Sequence, residues 1–434
     1  MLAKDQEQAV KEIKSWWGSS KAYHILQGSA GVGKSYVVEN ILENLIGAKP
    51  VLLAPTHKAL RQLKLKTHGD YKFATVASSL GIRPIDEGRG LKFEQTKLPS
   101  FWDNHNLCII DEAGMLDDYH IDLFKSLHLK ILYVGHKSQL PPIKVNRSIT
   151  DKCISPVFSK GYFESNLWIP KRNTGALWKF NEILEQRIYD DSIAIPNTYD
   201  IGAKEFKDYL GSKETLISIN SGVIKVALWT REGVSKYNKI FKDSIFGKTS
   251  SPTGFFKDEL VVIKNSIVSF NGMEFFNDKM ILKHANEGID IYTDTDGRII
   301  DSLLVDVKLN KNLIVKCKKL TIDTSIEGLI TVYMLEHKED YKRISDYYEH
   351  LAWSYSSKQA KDKAYRERSL LLKCFAQVQS FYAATSHSLQ GSSIKDVVTI
   401  LSDINKNSNR IERAKCTYVA CSRASNNLIT YRGL

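Results

Sequence analysis

The stretch Ile25-Leu26-Gln27-Gly28-Ser29-Ala30-Gly31-Val32-Gly33-Lys34-Ser35 decides the fold of this chain. A short apolar run precedes G-x-x-x-x-G-K-S, and a helical pattern follows it. A strand, a glycine-rich loop and a helix N-terminus in this order form a phosphate-binding site. Backbone N–H groups surround the β-phosphate, Lys34 places its charge between the β- and γ-phosphates, and the Ser35 hydroxyl completes a Mg²⁺ shell. We therefore predict that residues 28–35 bind a nucleoside triphosphate.

The composition is that of a globular protein with a basic surface. The 434 residues carry a net charge of +12, and this length predicts about three domains. A basic surface attracts phosphate backbones, so nucleic acid is the expected polyanionic partner. The six cysteines contain no C-x-x-C pair, which predicts reduced thiols. Because no apolar run reaches the ~18 residues that span a bilayer and no signal-peptide pattern is present, we expect a cytoplasmic protein.

Two regions alternate apolar strands with helical segments, as parallel α/β sheets do. The predicted strands are 23–27, 51–54, 107–110 and 131–134 in the first region, and 223–229, 380–384, 397–401 and 428–431 in the second. After Lys34, apolar residues recur at helical spacing, which predicts a helix that packs against the core.

Two segments interrupt this alternation. Residues 81–95 are predicted to form two short strands around a glycine turn. Residues 304–309 and 313–318 alternate in polarity and predict a hairpin in a small barrel, and residues 338–373 are helical and rich in charge and aromatic rings. The first segment has a plainer interpretation as a decorative loop.

Two further patterns carry chemistry. Asp111 and Glu112 end an apolar strand, where Asp111 is expected to hold Mg²⁺ through its water shell and Glu112 to polarise the hydrolytic water. The run Val134-Gly135-His136-Lys137-Ser138-Gln139-Leu140-Pro141-Pro142 closes another strand, and Gln139 is expected to contact the γ-phosphate and the attacking water. Taken alone, the first pattern is also common on surfaces, and the second could be a strand-to-loop exit.

In this order the motifs resemble those of superfamily 1 helicases. The similarity is greatest to the 5′-to-3′ branch, superfamily 1B, with its RecD, Pif1 and phage Dda-type helicases, and among these to the Dda type. Ala54-Pro55-Thr56-His57-Lys58-Ala59 is similar to the first single-strand contact motif. Thr385-Ser386-His387-Ser388-Leu389-Gln390-Gly391-Ser392-Ser393 is similar to the fifth motif, and Tyr418-Val419-Ala420-Cys421-Ser422-Arg423-Ala424 to the sixth.

The resemblance implies an α/β fold of two RecA-like parallel-sheet lobes with two insertions. Residues 1–80 and 100–170 are expected to form the first lobe, and residues 171–260 and 380–434 the second. Residues 81–99 are expected to form a β-hairpin pin, and residues 261–379 an SH3-like β-barrel that carries a helical arm.

The resemblance also implies roles for single residues. Gln6 matches the glutamine that reads the adenine edge, Gln390 and Gly391 lie in a motif that meets the nucleotide, and Arg172 and Arg423 match arginines that reach the γ-phosphate. Such arginines stabilise the charge that develops in phosphoryl transfer, although Arg172 could instead form a surface salt bridge. The expected single-strand contacts are Pro55, Thr56, His57, Thr385 and His387, with Phe93 of the pin stacking on a base or packing the hairpin onto its own domain.

The implied activity is ATP-dependent, Mg²⁺-dependent 5′-to-3′ translocation on single-stranded DNA and unwinding of forked duplex DNA. The expected protein is a monomeric motor in phage-type replication or recombination, in a host cytoplasm if phage-encoded, with a single-strand-binding or replication protein as a further partner. Two alternatives stay open: a translocase that displaces proteins from DNA, and a nucleotide-switched DNA-binding module.

The chain departs from the family pattern at two positions. The third motif of the family usually reads G-D-x-x-Q, but His136 occupies the acidic position here. We expect the loss of this carboxylate to alter a contact near the nucleotide or DNA, and with it the strength of the coupling between ATP hydrolysis and movement. The D-E pair is followed by Ala113-Gly114, where many family members carry serine at the second position, and we expect a milder effect there.

Overall fold

The computed structural model describes residues 2–86, 91–95, 97–141, 154–172, 175–247, 251–264, 273–276, 279–282, 294–310, 313–325 and 327–433. For residues 83–86, 91–94, 273–276, 279–282, 308, 310 and 370 it describes the backbone alone. The α-helices are α1 Lys4–Trp17, α2 Lys34–Asn44, α3 His57–Lys66, α4 Val76–Ser79, α5 Asp118–Lys125, α6 Ala176–Tyr189, α7 Ala203–Gly211, α8 Lys213–Asn220, α9 Arg231–Phe246, α10 Glu339–Ser354, α11 Lys358–Lys373, α12 Ser386–Leu389, α13 Leu401–Ile404 and α14 Arg410–Cys421.

The strands fall into three sheets and two separate hairpins. They are β1 Tyr23–Gly28, β2 Pro50–Ala54, β3 Lys72–Thr75, β4 Ile82–Asp86, β5 Leu91–Gln95, β6 Leu107–Ile110, β7 Lys130–Gly135, β8 Phe163–Leu167, β9 Ile224–Leu228, β10 Leu260–Ile263, β11 Met273–Phe276, β12 Lys279–Leu282, β13 Thr295–Asn310, β14 Leu313–Thr324, β15 Gly328–Leu335, β16 Val378–Ser380, β17 Ala383–Thr385, β18 Ile394–Ile400 and β19 Ala424–Tyr431.

The first sheet is parallel, with the strand order β3-β2-β6-β7-β1-β8. The inner strands β2, β6 and β7 are apolar on both faces because both faces are buried. Along β6, Leu107 and Ile109 enter one apolar core, and Cys108 and Ile110 enter the other. The four strands predicted for this region are confirmed, and so is the helix after Lys34.

The second sheet is also parallel, with the order β17-β9-β18-β19. Helices α6, α9 and α14 share its apolar core. The single strand predicted at 380–384 is wrong, because Ser380 pairs with Val261 in another sheet and Ala383 pairs with Val226 here. The Asn238 side chain stabilises the break between β16 and β17, since its Oδ1 accepts hydrogen bonds from the N–H groups of Tyr382 and Ala383 at 2.9 and 2.8 Å.

The third sheet is antiparallel, with the order β15-β14-β13-β10-β16. Strands β13 and β14 confirm the predicted pairing of 304–309 with 313–318. The turn residues Lys311 and Asn312 lie outside the described residues. Helices α10 and α11 confirm the helical prediction for 338–373, and they pack on this sheet through Ile344, Tyr348 and Leu371.

Strands β4 and β5 form the predicted hairpin between α4 and the strand β6, with Ile82 opposite Gln95. Residues 87–90 at its turn lie outside the described residues. The hairpin's use as a pin and the barrel character of the third sheet stay predictions.

Five cysteines, at positions 108, 317, 374, 416 and 421, are free and buried, which agrees with the predicted reduced thiols. Cys153 lies outside the described residues. Within the described part of the chain, the helices are too short or too polar to cross a membrane.

Candidate nucleotide site between the two parallel sheets

The phosphate-binding loop connects β1 to α2 through left-handed backbone. Gly31 and Gly33 have φ angles of 91° and 89°, which L-residues with a Cβ rarely adopt. A Cβ on Gly33 would lie 2.4 Å from Nε2 of Gln6, so this glycine also allows α1 to approach the loop. Both glycines are therefore required by the shape of the loop.

Lys34 lies at the start of α2 and points back into the loop. Its Nζ donates to the carbonyl oxygens of Gly28 and Ser29 at 2.7 and 3.0 Å. Burial lowers the pKa of Lys34 to about 8, and the carboxylates of Glu112 and Asp111 oppose this shift. These three charges therefore face one another across the same cleft.

The carboxylates stand at the carboxyl end of β6. The Asp111 N–H donates to the Leu53 carbonyl at 2.9 Å, and Asp111 Oδ1 accepts from the Glu112 N–H at 2.9 Å. Burial and the neighbouring Glu112 raise the pKa of Asp111 to about 6, against the pull of Lys34. Glu112 has a left-handed backbone, with φ at 52°.

Hydroxyl and carboxylate oxygens are the ligands that Mg²⁺ prefers, so Ser35 and Asp111 fit the expected metal. Both residues line the cleft.

The second sheet contributes to the same cleft. Gln390 Nε2 donates to Glu112 Oε2 at 3.3 Å, although the two residues are 278 positions apart. Arg423 is buried, and its guanidinium donates to the Val419 carbonyl and the Ser422 hydroxyl, both at 3.1 Å. Burial lowers the pKa of Arg423, and Glu112 opposes this effect.

Arg172 reaches the loop from the end of β8. The backbone N–H groups of Lys171 and Arg172 donate to the Gly31 carbonyl at 2.8 and 3.1 Å. Burial, and to a smaller extent the charge of Arg423, lowers the pKa of Arg172 to about 10. Arg172 Nη1 is buried and has no hydrogen-bond partner among the described residues. Its charge is thus available to an anion in the cleft.

Gln6 is held beside the loop. Its Nε2 donates to the Val32 carbonyl at 3.1 Å, and its Oε1 accepts from the Ala3 N–H at 3.0 Å. Sequence reasoning missed its neighbour Asp5, whose Oδ2 accepts from the N–H groups of Trp168 and Ile169 at 2.8 Å each. Asp5 thereby fixes the segment that leads to Arg172. The sequence carries no signal for this contact, because an acidic residue in the first turn of a helix is common.

Gln139 follows β7 on the far side of the cleft. It is buried, and its Oε1 has no partner among the described residues.

The cleft has a volume of about 420 Å³. Predicted residues that line it are Ala30, Gly31, Gly33, Lys34, Ser35, Asp111, Glu112, Gln139, Arg172, Gly391 and Arg423, and unpredicted ones are Tyr36, Glu39, Ala59, Gln62, Lys66 and Lys171. Ser29 contributes a backbone carbonyl, and Gly28 and Val32 pack against each other beneath the loop.

The predicted single-strand contacts occupy equivalent turns of the two sheets. Thr56 follows Pro55 at the end of β2 and caps α3, with Oγ1 accepting from the Ala59 N–H at 3.2 Å. Thr385 caps α12 in the same way, with Oγ1 accepting from the Ser388 N–H at 3.2 Å. The Lys58 ammonium donates to the Ser388 carbonyl and joins the two turns.

The two histidines of these turns are partly buried. Burial is the main cause that lowers the pKa of both His57 and His387. His387 Nε2 lies 3.8 Å from Glu412 Oε1. Phe93 belongs to β5, and its side chain lies outside the described residues.

Comparison with known proteins agrees with this architecture. A protein family described as AAA domain matches residues 1–153. An uncharacterized protein of Acanthamoeba polyphaga mimivirus is 25% identical over 474 residues, covering 95% of this chain and 93% of that protein.

Two solved structures are similar over nearly the whole chain. One, of two coordinating Pif1 helicases at forked double-stranded DNA, has a TM-score of 0.54 at 16% identity and covers 99% of this chain and 92% of its own. The other, Pif1 helicase from Candida albicans, has a TM-score of 0.51 at 16% identity and covers 100% and 95%. The chain therefore has the α/β fold of the Pif1 helicases, with a RecA-like lobe. Special closeness to the Dda type stays a prediction.

Proposed function

We propose that this protein is an ATP-dependent DNA helicase that moves 5′-to-3′ on single-stranded DNA. The observation that carries the proposal is that Gln390, Glu112 and Arg423 meet beside Lys34, because groups from both parallel sheets then face one nucleotide. The Pif1 fold supports the helicase class.

Each side chain in the cleft has a task in ATP hydrolysis. Lys34 binds the β- and γ-phosphates, and Glu112 orients the attacking water. Arg172 and Arg423 stabilise the negative charge that develops on the γ-phosphate, and Gln139 contacts this phosphate and the water. Mg²⁺, held by Ser35 and Asp111, would neutralise charge on the phosphates.

One short segment at the end of α12 links ATP hydrolysis to movement along DNA. Ser388 accepts a hydrogen bond from Lys58 at the single-strand turn, and Gln390, two residues later, donates to Glu112 in the cleft. A shift of residues 388–390 during ATP binding or hydrolysis therefore displaces the DNA contacts as well. Alternate grip by the two turns moves the protein along the strand, and the β4–β5 hairpin separates the duplex at the fork.

The test is strand displacement on forked DNA that has either a 5′ or a 3′ single-stranded tail, with ATP and Mg²⁺. We expect unwinding only with the 5′ tail. Lys34→Ala should abolish both unwinding and DNA-stimulated hydrolysis, whereas Lys11→Ala, which removes an exposed charge on α1, should leave both unchanged.

Three outcomes would contradict parts of the proposal. Unwinding that requires a 3′ tail would reverse the polarity. Hydrolysis and movement without unwinding would favour a translocase that displaces proteins. DNA binding that changes with nucleotide, without turnover, would favour a nucleotide-switched binding module. A role in phage-type DNA replication or recombination is part of the proposal, and the uncharacterized mimivirus relative fits a setting in the host cytoplasm.

A further inference from the structure

The acidic residue that is missing at position 136 has a counterpart on another element. His136 follows β7 in the first sheet, and Glu185 lies on α6, which packs in the core of the second sheet. His136 Nε2 lies 3.3 Å from Glu185 Oε1. The Ser138 hydroxyl donates to the same oxygen at 3.0 Å. A carboxylate therefore contacts the third motif at residues 136 and 138, but this carboxylate belongs to a helix of the second lobe.

The protonation of His136 follows from its surroundings. Burial and the charges of Lys34, Lys137 and Lys415 hold the pKa of His136 well below its usual range, so the ring is neutral. A neutral imidazole has one N–H, and the contact with Glu185 places it on Nε2. Nε2 is thus the ring nitrogen of His136 that faces the carboxylate, and the hydrogen bond to Glu185 from this loop comes from Ser138.

Glu185 also reaches the phosphate-binding loop through one intermediary. Burial raises the pKa of Glu185, and hydrogen bonding with Ser138 and Tyr418 opposes this rise. Burial also raises the pKa of Tyr418, and the neighbouring Ala30 N–H opposes that rise, so Tyr418 lies beside both groups. Tyr418 is buried on α14, five residues before Arg423. One carboxylate therefore connects the loop of Gln139, the helix that leads to Arg423, and the loop that holds Lys34.

A second contact holds the same loop from the same side. Lys415 of α14 is fully buried, and its Nζ donates to the carbonyl oxygens of Lys137 and Gln139 at 2.7 and 3.0 Å. The backbone of Gln139 is thus attached to the second sheet. Hydrogen bonds from both α6 and α14 therefore hold the loop that carries Gln139.

We propose that Glu185 is a positioning residue that ties the loop 136–139 and the phosphate-binding loop to the second lobe, in place of the carboxylate absent at position 136. It touches no substrate, and it acts by fixing Gln139 and Tyr418. This inference rests on the proposed ATP hydrolysis. It assigns part of the coupling between ATP hydrolysis and movement, which His136 is expected to alter, to a side chain outside the helicase motifs.

The experiment uses the full chain with Glu185→Gln, which keeps the shape and removes the charge. The matched control is Glu182→Gln, an exposed glutamate one turn earlier on α6. A charge-assisted hydrogen bond is roughly twice as strong as a neutral one. We expect kcat for DNA-stimulated ATP hydrolysis to fall about tenfold in Glu185→Gln, with KM for ATP within about twofold of wild type. The control should match wild type.

A second variant tests whether the carboxylate itself is the requirement. His136→Asp places two carboxylates against each other and should lower kcat. The double variant His136→Asp/Glu185→Gln moves the carboxylate to the first lobe and should exceed both single variants. A role in stability alone predicts no such recovery. If kcat of the double variant is no higher than that of either single variant, the inference that Glu185 replaces the carboxylate absent at position 136 is refuted.

Hydrogen exchange gives a readout that does not depend on turnover. Glu185→Gln should speed amide exchange in peptides that cover residues 130–141 and 28–35, while exchange elsewhere and the melting temperature stay unchanged. Wild-type exchange in both peptides, or faster exchange throughout with a lower melting temperature, would overturn the positioning role. A wild-type protein without DNA-stimulated hydrolysis would refute the proposed function, and the exchange result would still decide the role of Glu185.

Discussion

Arg172 gives the sharpest prediction, because its two interpretations predict opposite changes in stability. Arg172→Gln removes the charge but keeps the Cβ and both backbone hydrogen bonds to Gly31. If Arg172 stabilises the charge of phosphoryl transfer, this change should lower kcat by about 10³. If Arg172 forms a structural salt bridge, the change should lower the free energy of unfolding and spare kcat.

The magnitude of the stability change follows from the cost of burying the charge. Burial and Arg423 lower the pKa of Arg172 from 12.5 to about 10. A base whose pKa is lower in the folded state has a charged form that folding disfavours, here by about 3–4 kcal/mol. Removing the charge relieves this cost, so we expect Arg172→Gln to unfold at the wild-type temperature or a few degrees above it.

The assay combines ATP hydrolysis in saturating single-stranded DNA with thermal unfolding in the absence of nucleotide. Lys179→Ala is the matched control, because Lys179 is an exposed cation on α6 and its removal changes the net charge equally. It should leave kcat and the melting temperature unchanged. A lower melting temperature in Arg172→Gln together with wild-type kcat would refute the reasoning.

Three further predictions concern stability, binding and unwinding. Burial lowers the pKa of His24 to about 4, so between pH 6.5 and pH 4 the unfolded chain binds a proton at His24 and the folded chain does not. The melting temperature should therefore be constant above pH 6.5 and fall by a few degrees toward pH 4, and it should fall less in His24→Gln. An equal dependence of the melting temperature on pH in both proteins would exclude His24 as the cause. The logarithm of the affinity for single-stranded DNA should decrease linearly with the logarithm of the salt concentration, because the protein neutralises several phosphates. An affinity that does not change with salt concentration would contradict this use of the basic surface. Phe93→Ala should slow unwinding while it spares DNA-stimulated hydrolysis, since one base-stacking contact is worth ~1–3 kcal/mol, and equal losses with a lower melting temperature would favour packing of the hairpin.

The phosphate-binding loop was predictable from sequence because its constraints are local. Gly31 and Gly33 need left-handed backbone, and Lys34 must begin a helix, so all three requirements appear within four residues. The four strands of the first sheet were predictable for a similar reason, since a strand covered on both faces is a short apolar run that can be read without knowing its partners.

The break between β16 and β17 had no local signal. Residues 380–384 read as one apolar strand, but Asn238, far away in sequence, accepts hydrogen bonds from the backbone of Tyr382 and Ala383 and separates the two sheets there. A hydrogen bond between distant residues leaves no periodic pattern in either segment.

The contacts between the two lobes were likewise decided by the tertiary structure. The motifs named Glu112 and Gln390 separately, but only the packing of the lobes places them 3.3 Å apart. Glu185 belongs to no motif, and in the sequence it is one more charged residue on an amphipathic helix. Sequence determined which groups can bind a nucleotide, because that chemistry needs particular residue types at short spacing. The fold decided which distant side chains hold those groups in place, because such positioning depends only on where helices meet.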